Sequence, residues 1–333
     1  MRRLSQVLTI GALASMALAT PVRRQDEEYV GYLMTTFVDA LPQVHWHLSQ
    51  ADDPLNFTAL NGGDPVLVSD VGTGGVRDMF VATNTARSEY FMLATDLDIR
   101  IPDFNWDDAS RHGSHSLVIW SSTNLVDWSE PRLTKVELDT GGMAWAPSAV
   151  WDDEEEQYYL FWATRLFSED DPDHTGEPTL ERIRYSTTPD FITFSDPQDY
   201  AAPEDTALID QEFQYLGTPG SYVRYVKNAK TGQILQEQST DGILGTWTEA
   251  PGYLDIAEAT QYEGAASFAD IRTPGRYYLL LDNYDEYVPF TTDDILAGAW
   301  EKAEAPGFPS LLKHGCVTPL TRAEYDAIAE KYL

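Results

Sequence analysis

The sequence predicts an all-β chain closed into a single five-bladed β-propeller, with a short helix at its C-terminal end, and three observations lead there. One motif is written five times, an aromatic-rich strand followed at a distance by a polar turn that ends on an aromatic residue. Successive closing aromatics stand 53 to 71 residues apart, a period that holds several short strands with insertions in their loops. No segment reads as an interdomain linker, and closed all-β folds often run to this length as one domain. A small sheet of this kind cannot bury its own apolar faces, so five copies pack side by side around a central channel.

Taken in order, the chain begins with an address. Arg2 and Arg3 precede an apolar run from Leu4 that ends in Ala17-Leu18-Ala19, the pattern of a cleaved secretory signal. Arg23-Arg24 mark a dibasic processing step that would start the mature chain near Gln25, so 1–24 are expected to be signal and pro-segment and 25–333 one catalytic domain. The five strand signals follow: GYLMTTF at Gly31–Phe37, EYFMLAT at Glu89–Thr95, QYYLFWAT at Gln157–Thr164, SYVRYV at Ser221–Val226 and RYYLLLD at Arg276–Asp282. The closing aromatics are Phe57, Trp128, Phe194, Trp247 and Trp300. Asp103–His112 and Glu169–Thr179 read as polar loop insertions carrying Trp106 and His174, and loops on a rigid ring are where ligands are met. Asn56-Phe57-Thr58 is an N-glycosylation sequon in a turn. At the end, Thr321-Arg322-Ala323-Glu324 forms a capping box ahead of Tyr325, Ile328, Ala329 and Tyr332 at helical spacing, giving one helix docked outside the ring.

Composition narrows the function. The chain has 333 residues and a net charge of −32, which repels nucleic acid, anionic membranes and polyanionic substrates and leaves neutral or cationic ligands. The one cysteine, Cys316, lies in an apolar run and reads as a buried, inert thiol. The acidic run Glu169–Asp173 is read as a solvated turn rather than a calcium loop. No zincin, paired-CxxC, Walker, nucleophile-elbow or dinucleotide motif is present.

Three acids stand where a blade's first strand should begin rather than in turns: Asp78 in GGVRDMFVA, Asp210 in ALIDQEFQYLG and Glu263 in QYEGAASFAD. Each interrupts an apolar context and precedes an aromatic strand. Innermost strands line a propeller channel, so the three are expected to converge there. Paired carboxylates flanking a sugar bond, one acid and one base, are the apparatus of glycoside hydrolysis. For any one of them alone, a hairpin cap or a pair with a neighbour such as Arg77 would serve equally.

GGVRDMF, SSTNLVDWSEPRL, MAWAPSAVWDDEEEQYYLFWATRL, LIDQEF, YEGAASF and KHGCVTPLT together resemble glycoside hydrolase family 43, from about Gly31 to Leu320. The resemblance implies a five-bladed propeller that hydrolyses arabinofuranosyl or xylosyl bonds with inversion. It implies Asp78 as base, Glu263 as acid and Asp210 as the residue that tunes the acid. Met79, Gln211 and Ala265 stand where the family usually has proline. Arg77 joins the expected substrate contacts. Trp145 either stacks on a sugar or belongs to the core, Arg165 either reaches a hydroxyl or pairs with an acid, and Phe213 is a candidate for the pocket rim. His314 either contacts a channel ion or water or is hydrogen-bonded core. No cofactor is expected to be required, a structural channel cation is compatible, and the expected partner is a carbohydrate met by a secreted monomer that binds neither nucleic acid nor membrane. Two other readings stay open: a sugar-binding propeller without catalysis, and an invertase-type fructan hydrolase, whose Asn-Asp-Pro-Asn and Glu-Cys motifs are absent.

Overall fold

The computed structural model describes residues 28–254, 256 and 261–333, so the expected leader and processing site lie outside the described residues. Five four-stranded antiparallel sheets form the ring. Blade 2 runs outward through Val76–Thr83, Tyr90–Asp96, Ser116–Ser122 and Arg132–Lys135. Blade 3 runs through Trp145–Asp152, Gln157–Thr164, Arg182–Thr188 and Gln198–Ala201. Blade 4 holds Leu208–Tyr215, Tyr222–Asn228, Gln233–Ser239 and Thr248–Tyr253, and blade 5 holds Glu263–Ala269, Tyr277–Asp282, Tyr287–Thr292 and Glu301–Lys302.

Blade 1 is built from both ends of the chain. Its innermost strand is the C-terminal Cys316–Thr321, paired with Tyr29–Val38 and followed outward by Leu41–Ser49 and Phe57–Ala59. The ring is thereby closed by hydrogen bonds between the first and last strands. In every blade the aromatic strand is the second from the axis, because it is covered by sheets on both faces and must be apolar on both. In blades 2 to 5 the strand that precedes it lines the channel, and in blade 1 the C-terminal strand takes that place.

The five closing aromatics each fill one of five seams. Trp128 packs at the junction of blades 1 and 2, Phe194 at blades 2 and 3, Trp247 at blades 3 and 4, Trp300 at blades 4 and 5, and Phe57 at blades 5 and 1. That is the physical meaning of the repeat, since each blade contributes one large ring to a wedge-shaped gap at the rim. Cys316 is buried, accepts from the Val81 amide at 3.2 Å and lies 3.3 Å from Thr35 Oγ1, and burial pushes its thiol up to about 11.

Among the described residues two α-helices accompany the ring. Helix α1 (Trp106–Arg111) was not foreseen in the polar insertion. Asn105 starts it by accepting from the Asp107 and Asp108 amides at 2.8 and 3.2 Å. Helix α2 (Arg322–Tyr332) has the expected capping box between Thr321 and Glu324 and docks on the rim between blades 1 and 2, with Ile328 buried and Tyr332 5.5 Å from Trp46. Asn56 lies just before the strand Phe57–Ala59, where its amide donates to Gln50 at 3.3 Å. Among the described residues no helix is long and apolar enough to cross a membrane.

Candidate active site

The innermost strands carry a shared distortion that builds the site. In blades 2 to 5 the pairing with the aromatic strand slips by a bulge, at Arg77–Phe80, Trp145–Ser148, Ile209–Glu212 and Glu263–Ala266. One residue in each bulge is left-handed: Asp78 at φ 55°, Ala146 at 49°, Asp210 at 53° and Gly264 at 58°. Such a bulge re-aims a side chain and is favoured next to active sites, and Asp is among the residues that tolerate this backbone. Asp78 and Asp210 therefore hold equivalent places in their blades. Glu263 does not: it stands one residue ahead of Gly264, which corrects the expectation that all three acids share one repeat position. Gly264 has no side chain for a steric reason, since a Cβ there would lie 2.5 Å from His314 Cγ.

The three acids meet around His314. His314 Nδ1 lies 3.2 Å from Asp78 Oδ1, and Thr95 donates to Asp78 Oδ2 at 2.8 Å. Thr95 in turn accepts from the Ala146 amide at 2.7 Å, tying blades 2 and 3 behind the carboxylate. Asp210 Oδ2 accepts from the Gly264 amide at 3.3 Å, which brings blade 4 onto blade 5. Lys227, on the aromatic strand of blade 4, donates to Glu263 Oε2 at 2.6 Å, and its ammonium lies 5.2 Å from the centre of the Tyr284 ring. Tyr287 locks the floor by donating to the Gly264 carbonyl at 2.7 Å and accepting from the Gly315 amide at 2.6 Å.

The charges are set by these contacts. Burial alone would raise the Asp78 carboxyl, but the hydrogen bond and charge of His314, with Arg77 and Thr95, hold it below the usual carboxylate range. Burial alone would push the His314 imidazole down, yet Asp78, with the charges of Asp210 and Glu263, lifts it to about 9. Asp210 is raised by burial, opposed by Lys227 and His314 and reinforced by the charge of Asp78. Just below, burial raises Glu212 well above the ordinary range, and it accepts from the Ser267 amide at 3.0 Å. The axis thus holds an ionised carboxylate, Asp78, on an imidazolium and a buried carboxyl, Asp210, that retains its proton more readily, with Glu263 accepting from Lys227.

The remaining expected contacts divide. Trp145 stands at the start of the innermost strand of blade 3, half-buried, with Trp106 from α1 6.0 Å away edge-on. Arg77 lies beside Asp78 but is held by Asp39 at 3.2 Å and rests on the Phe37 ring at 4.4 Å. Arg165 forms an ion pair with Glu181 and lies 3.9 Å from Asp107, so the pairing alternative describes it. Phe213 is not brought to the acids: it packs among Phe161, Tyr200 and Trp247 in the seam between blades 3 and 4, where its apolar ring closes the core. His174 is buried between Phe167, at 4.1 Å, and the carbonyls of Arg111 and Asp139, and it pins the second insertion to α1. Asp171 accepts from the Thr175 and Gly176 amides, making that acidic run a turn.

Among the described residues no three His, Cys, Asp or Glu side chains are placed to share an ion. Sequence reasoning missed Lys227, Thr95, Tyr287 and Glu212. Lys227 and Glu212 stand in strands that carry other polar residues, YVRYVKN and LIDQEFQY, so neither is conspicuous there, and Thr and Tyr are ordinary strand residues.

Comparison with known proteins bears on the chain as a whole. The family described as "Probable glycosyl hydrolase domain", of the family-43-related type, matches residues 27–326. An alpha-L-arabinofuranosidase of Bifidobacterium longum subsp. longum is 32% identical over 198 residues, which is 55% of this chain and 18% of that much longer protein. Among solved structures, the catalytic domain of the GH62 alpha-L-arabinofuranosidase of Coprinopsis cinerea superposes with a TM-score of 0.51 at 13% identity, covering 76% of this chain and 77% of that one. That likeness concerns the fold.

Proposed function

The chain belongs to the family-43-related glycosyl hydrolases, and from that premise we propose that it is an exported enzyme removing arabinofuranosyl or xylosyl units from plant cell-wall polysaccharides or their oligosaccharides with inversion. Asp78 takes the proton of the attacking water. Glu263 protonates the departing oxygen, and Asp210 orients the sugar and tunes that proton transfer. Trp145 offers a face for the ring being cleaved. Among the two pentoses, arabinofuranose is favoured because the curated relative that shares sequence with this chain carries that activity in its name.

One observation carries this reading: an ionised, imidazolium-bound Asp78 shares the end of one channel with Asp210 and Glu263, delivered by three different blades. An acid held ionised by a cation is suited to act as base at neutral pH. The negative surface agrees with a neutral substrate and with export into solution, where a high net charge maintains solubility.

A panel of p-nitrophenyl glycosides tests the proposal. The expected result is release of p-nitrophenol from the α-L-arabinofuranoside, a lesser rate on the β-xyloside, none on the fructoside analogue, and an initial sugar product of inverted configuration by NMR. Turnover of none of them, together with saturable sugar binding, would establish the lectin alternative instead.

A further inference from the structure

One register position recurs around the ring. In blades 2 to 5 the residue that opens the bulge is Arg77, Trp145, Ile209 and Glu263 in turn, and each faces a fixed partner on the aromatic strand: Thr95, Ala163, Lys227 and Asp282. Residues opposite one another across a strand pair are neighbours, so the partner's side chain lies beside the bulge. In blade 2 its task is visible. Thr95 donates to Asp78 Oδ2 at 2.8 Å and fixes that carboxylate. Blade 4 carries Lys227 in the same place, and its longer side chain crosses to blade 5, where it donates to Glu263 Oε2 at 2.6 Å. Two of the three acids are therefore held from equivalent second-strand positions, Asp78 from its own blade and Glu263 from the neighbouring one.

The surroundings keep the Lys227 ammonium in this place. Its side chain is only 7% exposed, and a charge taken that far out of water is retained where opposite charges and hydrogen bonds answer it. Burial alone would push Lys227 down, yet the charge of Asp210, followed by the charge and hydrogen bond of Glu263, raises it. Asp210 itself accepts from the Gly264 amide at 3.3 Å, so it supports the ammonium by charge rather than by contact. Tyr284 covers the site with its ring centre 5.2 Å from the ammonium, a favourable cation–π distance. Lys313 donates to the Tyr284 carbonyl and holds that residue over the site.

We propose that Lys227 is the positioning residue of the acid: it holds Glu263 Oε2 and so presents Oε1 to the oxygen of the departing sugar. The inference rests on the glycosidase reading above and adds what fixes its proton donor. A glutamate side chain turns about several single bonds, and a reacting group misplaced by about 1 Å can lose about 10²-fold in rate. A sugar alcohol departs only with a proton and depends on that geometry. A phenolate departs with little help and does not.

The test measures wild type, Lys227→Met and Lys227→Gln on an aryl arabinofuranoside and on an arabino-oligosaccharide of the same cleaved sugar. Methionine keeps an unbranched side chain without the ammonium, and glutamine keeps an N–H donor should the methionine variant fail to fold. For Lys227→Met the expected kcat is about 10²-fold lower on the oligosaccharide and less than about threefold lower on the aryl substrate, with KM within about twofold on both. Lys227→Gln should show the same preference with a smaller loss. Added to Glu263→Gln, Lys227→Met should cost nothing further on the oligosaccharide, because the group it positions has gone. Equal losses on the two substrates, or a loss that adds in full to that of Glu263→Gln, would overturn the positioning role and leave the proposed function standing. Turnover of no glycoside by the wild type would overturn the proposed function, and the role of Lys227 with it.

Discussion

Two buried charge clusters sit at the two ends of the same closing strand, and they are built in opposite ways. At the rim, Arg87 grips Glu324 with two hydrogen bonds of 2.7 and 2.9 Å and donates to the Pro319 carbonyl at 3.0 Å. Tyr90 and the Thr321 amide also donate to Glu324. Every formal charge there has its opposite, and the same contacts pull the Glu324 carboxyl below the usual range although burial alone would raise it. At the axis, Asp78, Asp210 and Glu263 crowd around His314, and left-handed backbone holds Asp78 and Asp210 in place. The first cluster closes the ring. The second keeps like charges together at a cost in stability, which is the usual mark of a site selected for chemistry rather than for folding.

Substitutions should therefore separate the two, and the largest effect belongs to the axis. Asp78→Asn is expected to lower kcat by about 10² to 10⁴-fold on aryl and natural glycosides alike. Its melting temperature should fall modestly, since the His314 imidazolium loses its counter-charge, but far less than kcat falls. A collapse of folding in step with activity would make Asp78 a structural residue.

Glu324→Gln should do the reverse. Leaving the Arg87 guanidinium buried without its counter-charge is expected to cost about 3–5 kcal/mol, read from denaturant unfolding, while kcat measured below the transition stays near wild type. A stability loss under about 1 kcal/mol would mean that the rim pair contributes no more than a surface salt bridge.

The pH dependence of stability sharpens the contrast. His314 stands at about 9 in the folded chain against 6.5 ordinarily, so its pairing contributes fully below pH 6.5 and is lost as pH rises through about 9. Asp78 is lowered, so its share is present above the ordinary carboxylate range and is lost only as pH falls through its depressed value. Denaturant midpoints should accordingly decline between about pH 7 and 9, and His314→Gln should flatten that decline. A wild-type profile already flat over this range would contradict the imidazolium assignment. The smallest effect is expected at Cys316→Ala, which trims a buried thiol away from the acids: about 1 kcal/mol of stability and unchanged kcat.

What the sequence could and could not reveal follows the same division. The blades were legible because the second strand of each is buried on both faces and the closing ring fills a seam, so both leave apolar signatures at a fixed offset. Asp78 and Asp210 were legible because a carboxylate in an apolar strand is conspicuous, and Glu263 because of its Glu-Gly context. The bulge that offsets Glu263 from the others was not legible, since it depends on pairing with a distant strand. Lys227 was hidden inside SYVRYVKN, where nothing local says that its ammonium meets an acid from the next blade. Phe213 was misplaced for the converse reason: an aromatic residue beside LIDQE looks like a pocket wall until the fold turns it into the seam. Helix α1 was missed because its six residues have no apolar periodicity and depend on the Asn105 cap.

The most direct test of the acid assignment is the leaving-group dependence of Glu263→Gln. Its kcat should be measured beside wild type on a p-nitrophenyl arabinofuranoside and on an arabino-oligosaccharide of the same cleaved sugar. The phenolate departs with little help from a proton, whereas the sugar alcohol needs one. The loss on the oligosaccharide is therefore expected to exceed the loss on the aryl glycoside by about 10²-fold or more. Equal losses on the two substrates would contradict Glu263 as the proton donor.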